Sequence, residues 1–254
     1  MPTKHAVVTG AGTGIGGTLV QSLVDASYQV TLLGRRLEVL EARAAQIDAA
    51  EQTQCLSCDV TDEANVGQAF NDAVNTFGTV DVLVNNAGIA PTAPFHKLTS
   101  SQWSEVMAVN LDGVFHCTSA ALPAMREQKY GRIINIASTA ALRGYAYVSA
   151  YTAAKHGVLG LTRALALETA SLGITVNAVC PGYTDTEIIR SSIEQISAKT
   201  GRSPEQALSE FTKVNPQNRL ITPQEVAHTV MWLCSPGSDA ITGQAISVSG
   251  GEVM

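Results

Sequence analysis

Charge is scarce in this chain: Asp, Glu, Lys and Arg make up 15% of its 254 residues, against roughly 25% in an ordinary soluble domain. With so little polar surface, some apolar faces are expected to be covered by other subunits. The net charge of −6 argues against nucleic acid or an anionic membrane surface as the main partner. No apolar run reaches the length of a membrane span. A strand pattern begins at Lys4, which leaves no room for a signal peptide. Together these absences predict a soluble, cytoplasmic protein. Metal ligands are sparse too. Cys55 and Cys58 have ligand spacing but no second pair follows, and none of the five histidines is paired at ligand spacing, so no metal site is expected. Cys58 at a strand end and Cys180 within a strand read as buried free thiols of a reducing compartment. Repeats, linkers and low-complexity segments are absent, and residues 1–254 read as one domain with a sizeable core.

What is present is a strict alternation of strand and helix patterns. Lys4 to Thr9 is a short β-branched run that stops at Gly10, and an amphipathic helix runs from Gly16 to Asp25. Further strands are expected at 29–33, 54–58, 80–84, 132–137, 174–179 and 245–248, and helices at 37–51, 63–77, 101–125, about 149–171 and 223–233. Seven strands alternating with helices predict a doubly wound, seven-stranded parallel sheet with helices on both faces. The rhythm breaks between Tyr183 and Asn218, where a polar stretch with two short helical patterns carries Arg190, Lys199, Arg202 and Lys213. An insertion of this length suggests a lid over a substrate site.

The glycine-rich turn GAGTGIGG sits between the first strand and the first helix. Two phasings overlap in it: Gly12, Gly14 and Gly17, or Thr9, Gly10, Gly14 and Gly16. In either, missing side chains let the backbone approach a pyrophosphate, and the helix N-terminus offers N–H groups and a positive dipole end. The second strand ends in Gly34-Arg35-Arg36, where an NAD site usually carries an acid for the ribose 2′-hydroxyl. Glycine and arginine leave room for a 2′-phosphate and offer it guanidinium donors, which favours NADP over NAD, with Arg35 the better placed. The plain alternative is a pair of surface arginines opening the next helix.

A second constellation lies in the stretch from Ser138 to Lys155. Tyr151 and Lys155 are four residues apart, one above the other on a helix face. A nearby cation favours phenolate, so Tyr151 is expected to ionise more readily than a free tyrosine and to pass a proton to or from a substrate oxygen. Ser138, closing the preceding strand, can reach the same oxygen. Arg143, Tyr145 and Tyr147 lie between them and are candidates for the substrate mouth. Asn110, midway along an apolar helix, needs a specific partner for its side chain. The helix carrying Lys155 is apolar nearly all round, so its outer face is expected to meet another subunit.

With these pieces in place, the chain resembles the short-chain dehydrogenase/reductase family over its full length. The matching segments are Thr9–Gly16, Asn85–Gly88, Asn110, Ser138, Tyr151–Lys155 and Pro181–Thr186. The resemblance implies that Tyr151 is the catalytic acid/base and that Lys155 lowers its pKa while binding the nicotinamide ribose. Ser138 would hold the substrate oxygen, and Asn110 would anchor a water linking Lys155 to solvent. It further implies cofactor contacts from the turn at Gly10, Thr13, Gly14, Ile15 and Gly16. Arg35 would add a contact, Asp59 and Val60 would meet the adenine, and Asn86, Ala87 and Gly88 would lie on the adenosine-ribose side. Thr184 and Thr186 would take the carboxamide. Thr184 stands where many members have Val or Ile, and no basic residue precedes Gly14, so the NADP preference rests on Arg35. Members of the family form homotetramers or homodimers. The wording of the segments resembles reductases of 3-oxoacyl thioesters, aromatic polyketide ketoreductases and dehydrogenases of 3-hydroxyacyl-CoA or 3-hydroxybutyrate. The expected substrate is therefore a small-molecule ketone or secondary alcohol, with sugars, polyols and cyclic alcohols as alternatives. A non-catalytic nucleotide sensor on the same fold would be marked by loss of Tyr151 or Lys155; both are present.

Overall fold

The computed structural model describes residues 3–254. Its strands are β1 (His5–Thr9), β2 (Gln29–Gly34), β3 (Thr53–Ser57), β4 (Val80–Asn85), β5 (Gly131–Ile136), β6 (Ile174–Pro181) and β7 (Ala245–Val248). They form one sheet in the order β3-β2-β1-β4-β5-β6-β7, every neighbouring pair parallel. The chain winds outward from β1 in one direction and then from β4 in the other, which opens a crevice at the strand ends between them.

A strand buried on both faces reads as a continuous apolar run, and alternate residues of β1 enter opposite cores. Val8 packs with Leu19, Leu23, Leu32 and Val230 beneath α1 (Gly14–Asp25) and α9 (Pro223–Cys234), while α2 (Leu37–Ile47) adds Leu40 to the same layer. Val7 packs with Phe70, Leu83, Cys117 and Ile133 beneath α3 (Glu63–Phe77) and α5 (Gly113–Gln128). The second layer is completed by α6 (Ser149–Thr169). Helix starts are written in the sequence. The Asp62 carboxylate accepts from the N–H groups of Ala64 and Asn65 at the head of α3, and a capping box at Thr222 and Glu225 opens α9 with Pro223 at its first position.

Helix α1 begins at Gly14 rather than Gly16 and β6 runs on to Pro181, and two helices depart further from the pattern. Helix α2 stops at Ile47 because Asp48 adopts a left-handed φ of 54°, and Ala50–Gln52 form only a 3₁₀ turn. The expected helix over 101–125 is in fact α4 (Ser100–Met107), a π turn over Ala108–Asp112, and α5. Between β6 and α9 the two helical patterns become α7 (Glu187–Thr200) and α8 (Pro204–Thr212). Among the described residues no helix is long and apolar enough to cross a membrane, and no group of three or more His, Cys, Asp or Glu is gathered as metal ligands. All five cysteines are free, and burial pushes the Cys58 and Cys180 thiols up to about 11.

Candidate active site

A cleft of about 910 Å³ lies over the carboxyl ends of β1, β2, β4, β5 and β6. Its first wall is the turn from β1 to α1. The Thr9 hydroxyl accepts the N–H groups of Asn86 (2.9 Å) and Ala87 (3.0 Å), while the Asn86 amide donates to the carbonyls of Thr9 (3.0 Å) and Gly10 (3.1 Å). These four bonds tie the ends of β1 and β4 across the crevice, so Asn86 acts as a clamp. Gly10 sits at φ 62° with no room for a side chain beside Ala87. Gly10, Thr13, Gly14 and Ile15 line the cleft, as do Asn86, Ala87 and Gly88. Gly16, expected to face a ligand, does not line it. A Cβ there would fall 2.2 Å from the Gly10 carbonyl oxygen, so this glycine serves the close packing of α1 against the turn.

The geometry fits a dinucleotide. Helix α1 has no acidic residue in its first turn and no side-chain cap at Thr13, which leaves its N–H groups and positive dipole end facing the cleft. At the far wall lie Arg35 and Arg36, both exposed, together with Asp59 and Val60. The Asp59 carboxylate accepts the Thr61 N–H (3.0 Å) and hydroxyl (2.8 Å), and these bonds, with Arg35 nearby, hold it below the usual carboxylate range. Arg35 makes no ion pair among the described residues. Thr184 and Thr186 line the near side, the latter with its methyl 3.2 Å from where a side chain on Gly14 would begin.

Ser138, Tyr151 and Lys155 meet on the opposite wall, beyond the end of β5 and on the first turns of α6. The Ser138 hydroxyl oxygen accepts the Ala140 N–H at 3.1 Å and the hydroxyl is set against the Tyr151 phenol. Lys155 is 3% exposed and its ammonium donates to the Ile136 carbonyl at 2.8 Å. It lies 5.6 Å from the centre of the Tyr151 ring. Burial lowers the Lys155 pKa to about 8. The expected easier ionisation of Tyr151 is reversed: burial raises its pKa, and the Ser138 hydroxyl only partly opposes that. Desolvation of both groups outweighs their proximity in the ligand-free protein.

Asn110 is buried in the π turn. Its amide donates to the carbonyls of Ile89 (2.9 Å) and Val106 (3.0 Å) and its oxygen accepts the Ile89 N–H at 3.3 Å. The side chain is thereby committed to pinning the Gly88–Ile89 loop. A side chain at Gly88 would run into the Asn110 oxygen at 2.8 Å and reach the Lys155 ammonium at 3.8 Å, so this glycine lets one loop link cofactor wall and proton wall.

Tyr145 and Tyr147 line the mouth, but Arg143 does not: it is exposed and stacks its guanidinium 4.8 Å from the Tyr145 ring centre. The Tyr145 hydroxyl donates to Glu252, a residue that sequence reasoning overlooked, and accepts from the Thr139 hydroxyl (2.8 Å). No local pattern marks Glu252, because its partner lies 107 residues earlier. Tyr183 and Phe211 stack edge to face at 5.0 Å on the side of α7 and α8. Both line the cleft.

A parallel sheet with this winding, a side-chain-free turn before α1 and a Ser–Tyr–Lys wall define a dinucleotide-dependent oxidoreductase. The chain belongs to the short-chain dehydrogenase family, whose model, described as short chain dehydrogenase, matches residues 4–197. It is 40% identical to a putative ketoacyl reductase of Streptomyces coelicolor, covering 98% of this chain and 97% of that protein. It is 35% identical to a D-beta-hydroxybutyrate dehydrogenase of Cupriavidus necator over 98% of each. Among solved structures, a single-residue variant of actinorhodin polyketide ketoreductase with NADPH superposes with a TM-score of 0.94 at 38% identity, covering 99% of both chains.

Proposed function

We propose that this enzyme is an NADPH-dependent reductase of 3-oxoacyl thioesters, with Tyr151 as the proton donor. The observation that carries the proposal is one continuous cleft with Arg35 at one end and Ser138, Tyr151 and Lys155 at the other. When bound, the nicotinamide supplies the hydride. Gly10, Thr13, Gly14 and Ile15 hold the pyrophosphate, Asp59 and Val60 the adenine, Asn86, Ala87 and Gly88 the adenosine side, and Thr184 and Thr186 the carboxamide. Ser138 donates its hydrogen bond to the substrate oxygen, where negative charge develops. Tyr151 then gives that oxygen its proton. Its raised pKa keeps the phenol protonated at neutral pH, which suits reduction. Lys155 holds the ribose and compensates the phenolate left behind, and Asn110 fixes the loop between cofactor and lysine.

Oxidation of a small 3-hydroxy acid is the competing reading. A free carboxylate close to Ser138 needs a cation there. Of the four Lys and Arg residues described on the cleft wall, only Lys155 stands at the catalytic end, and it is bonded to Ile136. This favours a thioester. The test is consumption of NADPH and of NADH with acetoacetyl-CoA by the wild type and Arg35→Asp. We expect NADPH to be preferred, and Arg35→Asp to raise its KM by about 10- to 100-fold, since a charge-assisted bond to phosphate is lost. A wild type that prefers NADH overturns the assignment of Arg35. A wild type that oxidises 3-hydroxybutyrate with NAD and leaves the thioester untouched overturns the reductase reading.

The outer faces of α5 and α6 carry Phe115 at 53% and Leu167 at 85% exposure. Exposed side chains of this size, on a protein poor in charge, mark an interface. We infer a homodimer or homotetramer joined through these helices, in a reducing cytoplasm that keeps the five thiols free. Light scattering is expected to give a multiple of 26.6 kDa for the wild type and a lower mass for Leu167→Glu. An unchanged mass places the interface elsewhere.

A further inference from the structure

The segment expected to form a lid carries four cations, and three of them are engaged. Arg190 pairs with Asp185 at 2.9 Å, Arg202 with Glu210 at 3.3 Å, and Lys213 with the same Glu210. Lys199 makes no ion pair among the described residues, and of the four it is the one that lines the cleft. Helix α7 meets the cleft through Glu187, Ile188 and Ile189 in its first turn and then through Ser192, Gln195, Ile196 and Lys199, the later four on one helical face. The chain enters α7 from the catalytic end, where Tyr183 packs edge to face on Tyr145 at a ring separation of 6.2 Å. From Ile188 to Lys199 is eleven residues, a rise of about 16 Å along the helix axis.

That length selects a ligand. A free acetoacetate held at Ser138 and Tyr151 ends within a few ångströms of them and cannot approach Lys199. A phosphopantetheine arm has about thirteen bonds from sulfur to phosphorus, and an extended chain advances about 1.2 Å per bond, which gives roughly 16 Å. The helix face also suits the arm: polar Ser192 and Gln195 alternate with Ile188 and Ile196, as amides alternate with methylenes and methyls in the arm. We propose that Lys199 is a specificity-determining residue that binds the phosphate at the end of a pantetheine arm lying along α7. The inference rests on the thioester reading above and adds the group that distinguishes carrier-bound substrates from free acids. No chemistry at the reacting carbon depends on Lys199.

The test compares acetoacetyl-pantetheine with acetoacetyl-phosphopantetheine, which differ only in the phosphate, on the wild type and on Lys199→Gln. Wild type is expected to prefer the phosphorylated substrate by about fivefold in kcat/KM, the scale of one solvent-exposed ion pair, and the preference shrinks as salt is added. In Lys199→Gln the preference disappears, with kcat and the KM for NADPH unchanged. Acetoacetyl-CoA and acetoacetyl-loaded acyl carrier protein, measured in parallel, share the loss, and the larger loss identifies the physiological carrier. If Lys199→Gln keeps the fivefold preference, or loses equally on both pantetheines, the proposal is wrong. A raised KM for NADPH assigns Lys199 to the cofactor instead and also overturns it. No turnover of any thioester by the wild type refutes the reductase reading itself, an outcome distinct from the others.

Discussion

Replacing Tyr151 by phenylalanine is expected to lower kcat by about a thousandfold, the scale of a lost general acid, with little change in the KM for NADPH. The substitution removes one hydroxyl and keeps the ring. The ring packs beside Val106, Ala150 and Ala154, and Ser138 is the one hydroxyl set against the phenol. Stability should therefore move by less than about 1 kcal/mol, and the melting temperature separates lost chemistry from lost fold. The pH dependence carries the sign of the mechanism. Reduction needs a protonated phenol, and burial keeps Tyr151 in that form beyond neutrality. Lys155, at about 8, is the group that changes first as pH rises. kcat/KM for reduction is expected to be flat below pH 8 and to fall above it, as the lysine charge that offsets the phenolate is lost. Oxidation of the alcohol product needs the phenolate, which the raised Tyr151 pKa keeps scarce there, and should rise only at higher pH than the fall in reduction. Parallel pH profiles in the two directions, or a Tyr151→Phe variant that keeps a tenth of the wild-type rate, would remove Tyr151 from the proton-transfer step.

The strands are legible in the sequence because a doubly wound sheet buries both faces of each strand, so apolar runs such as Ala6–Val8 and Ile133–Ile134 stand out between polar turns. The cofactor turn is legible as a whole but not residue by residue. A glycine needed for ligand approach and one needed for helix packing look identical in one dimension, and only the 2.2 Å clash at Gly16 separates it from Gly14. The π turn at Asn110 is not legible as a turn. Five residues of π helix preserve an apolar pattern that a 3.6-residue period fits as well, and the only trace is an asparagine where none is favoured. Glu252 leaves no trace at all, since its contact with Tyr145 exists only once β7 has returned the C-terminus to the cleft. The spacing of Tyr151 and Lys155 places them together correctly and misleads on their energetics. Spacing gives proximity, whereas the pKa values follow from how deeply β5 and α6 bury the pair, a property of the packed layers.

That burial makes the second large prediction. Lys155→Met is expected to abolish turnover and, at the same time, to make the ligand-free protein more stable at neutral pH. In the folded chain the lysine pKa is depressed from 10.5 to about 8 by burial. Below pH 8 both folded and unfolded chains carry the charge, and folding bears the whole cost of desolvating it. Between pH 8 and 10.5 the folded chain has released the proton while the unfolded chain still holds it, so stability rises with pH. The size of the depression corresponds to a cost on the order of 3 kcal/mol. Against this, methionine cannot donate to the Ile136 carbonyl, which the lysine now serves at 2.8 Å, and an unserved buried carbonyl costs about 1–3 kcal/mol. Relief from desolvating the ammonium offsets or outweighs the lost hydrogen bond, by roughly 0–2 kcal/mol, or up to a few degrees in melting temperature for a chain of this size. Urea titrations of wild type and Lys155→Met at pH 7 and pH 10 isolate the effect, because every other titrating group is common to both. The variant should be the more stable at pH 7 and should lose that advantage at pH 10, where the wild-type lysine is buried neutral. A variant less stable at pH 7, or a difference that does not narrow with pH, would mean that the ammonium is well solvated by its surroundings. The function would then draw on a preformed charge rather than on one that the bound cofactor and substrate stabilise.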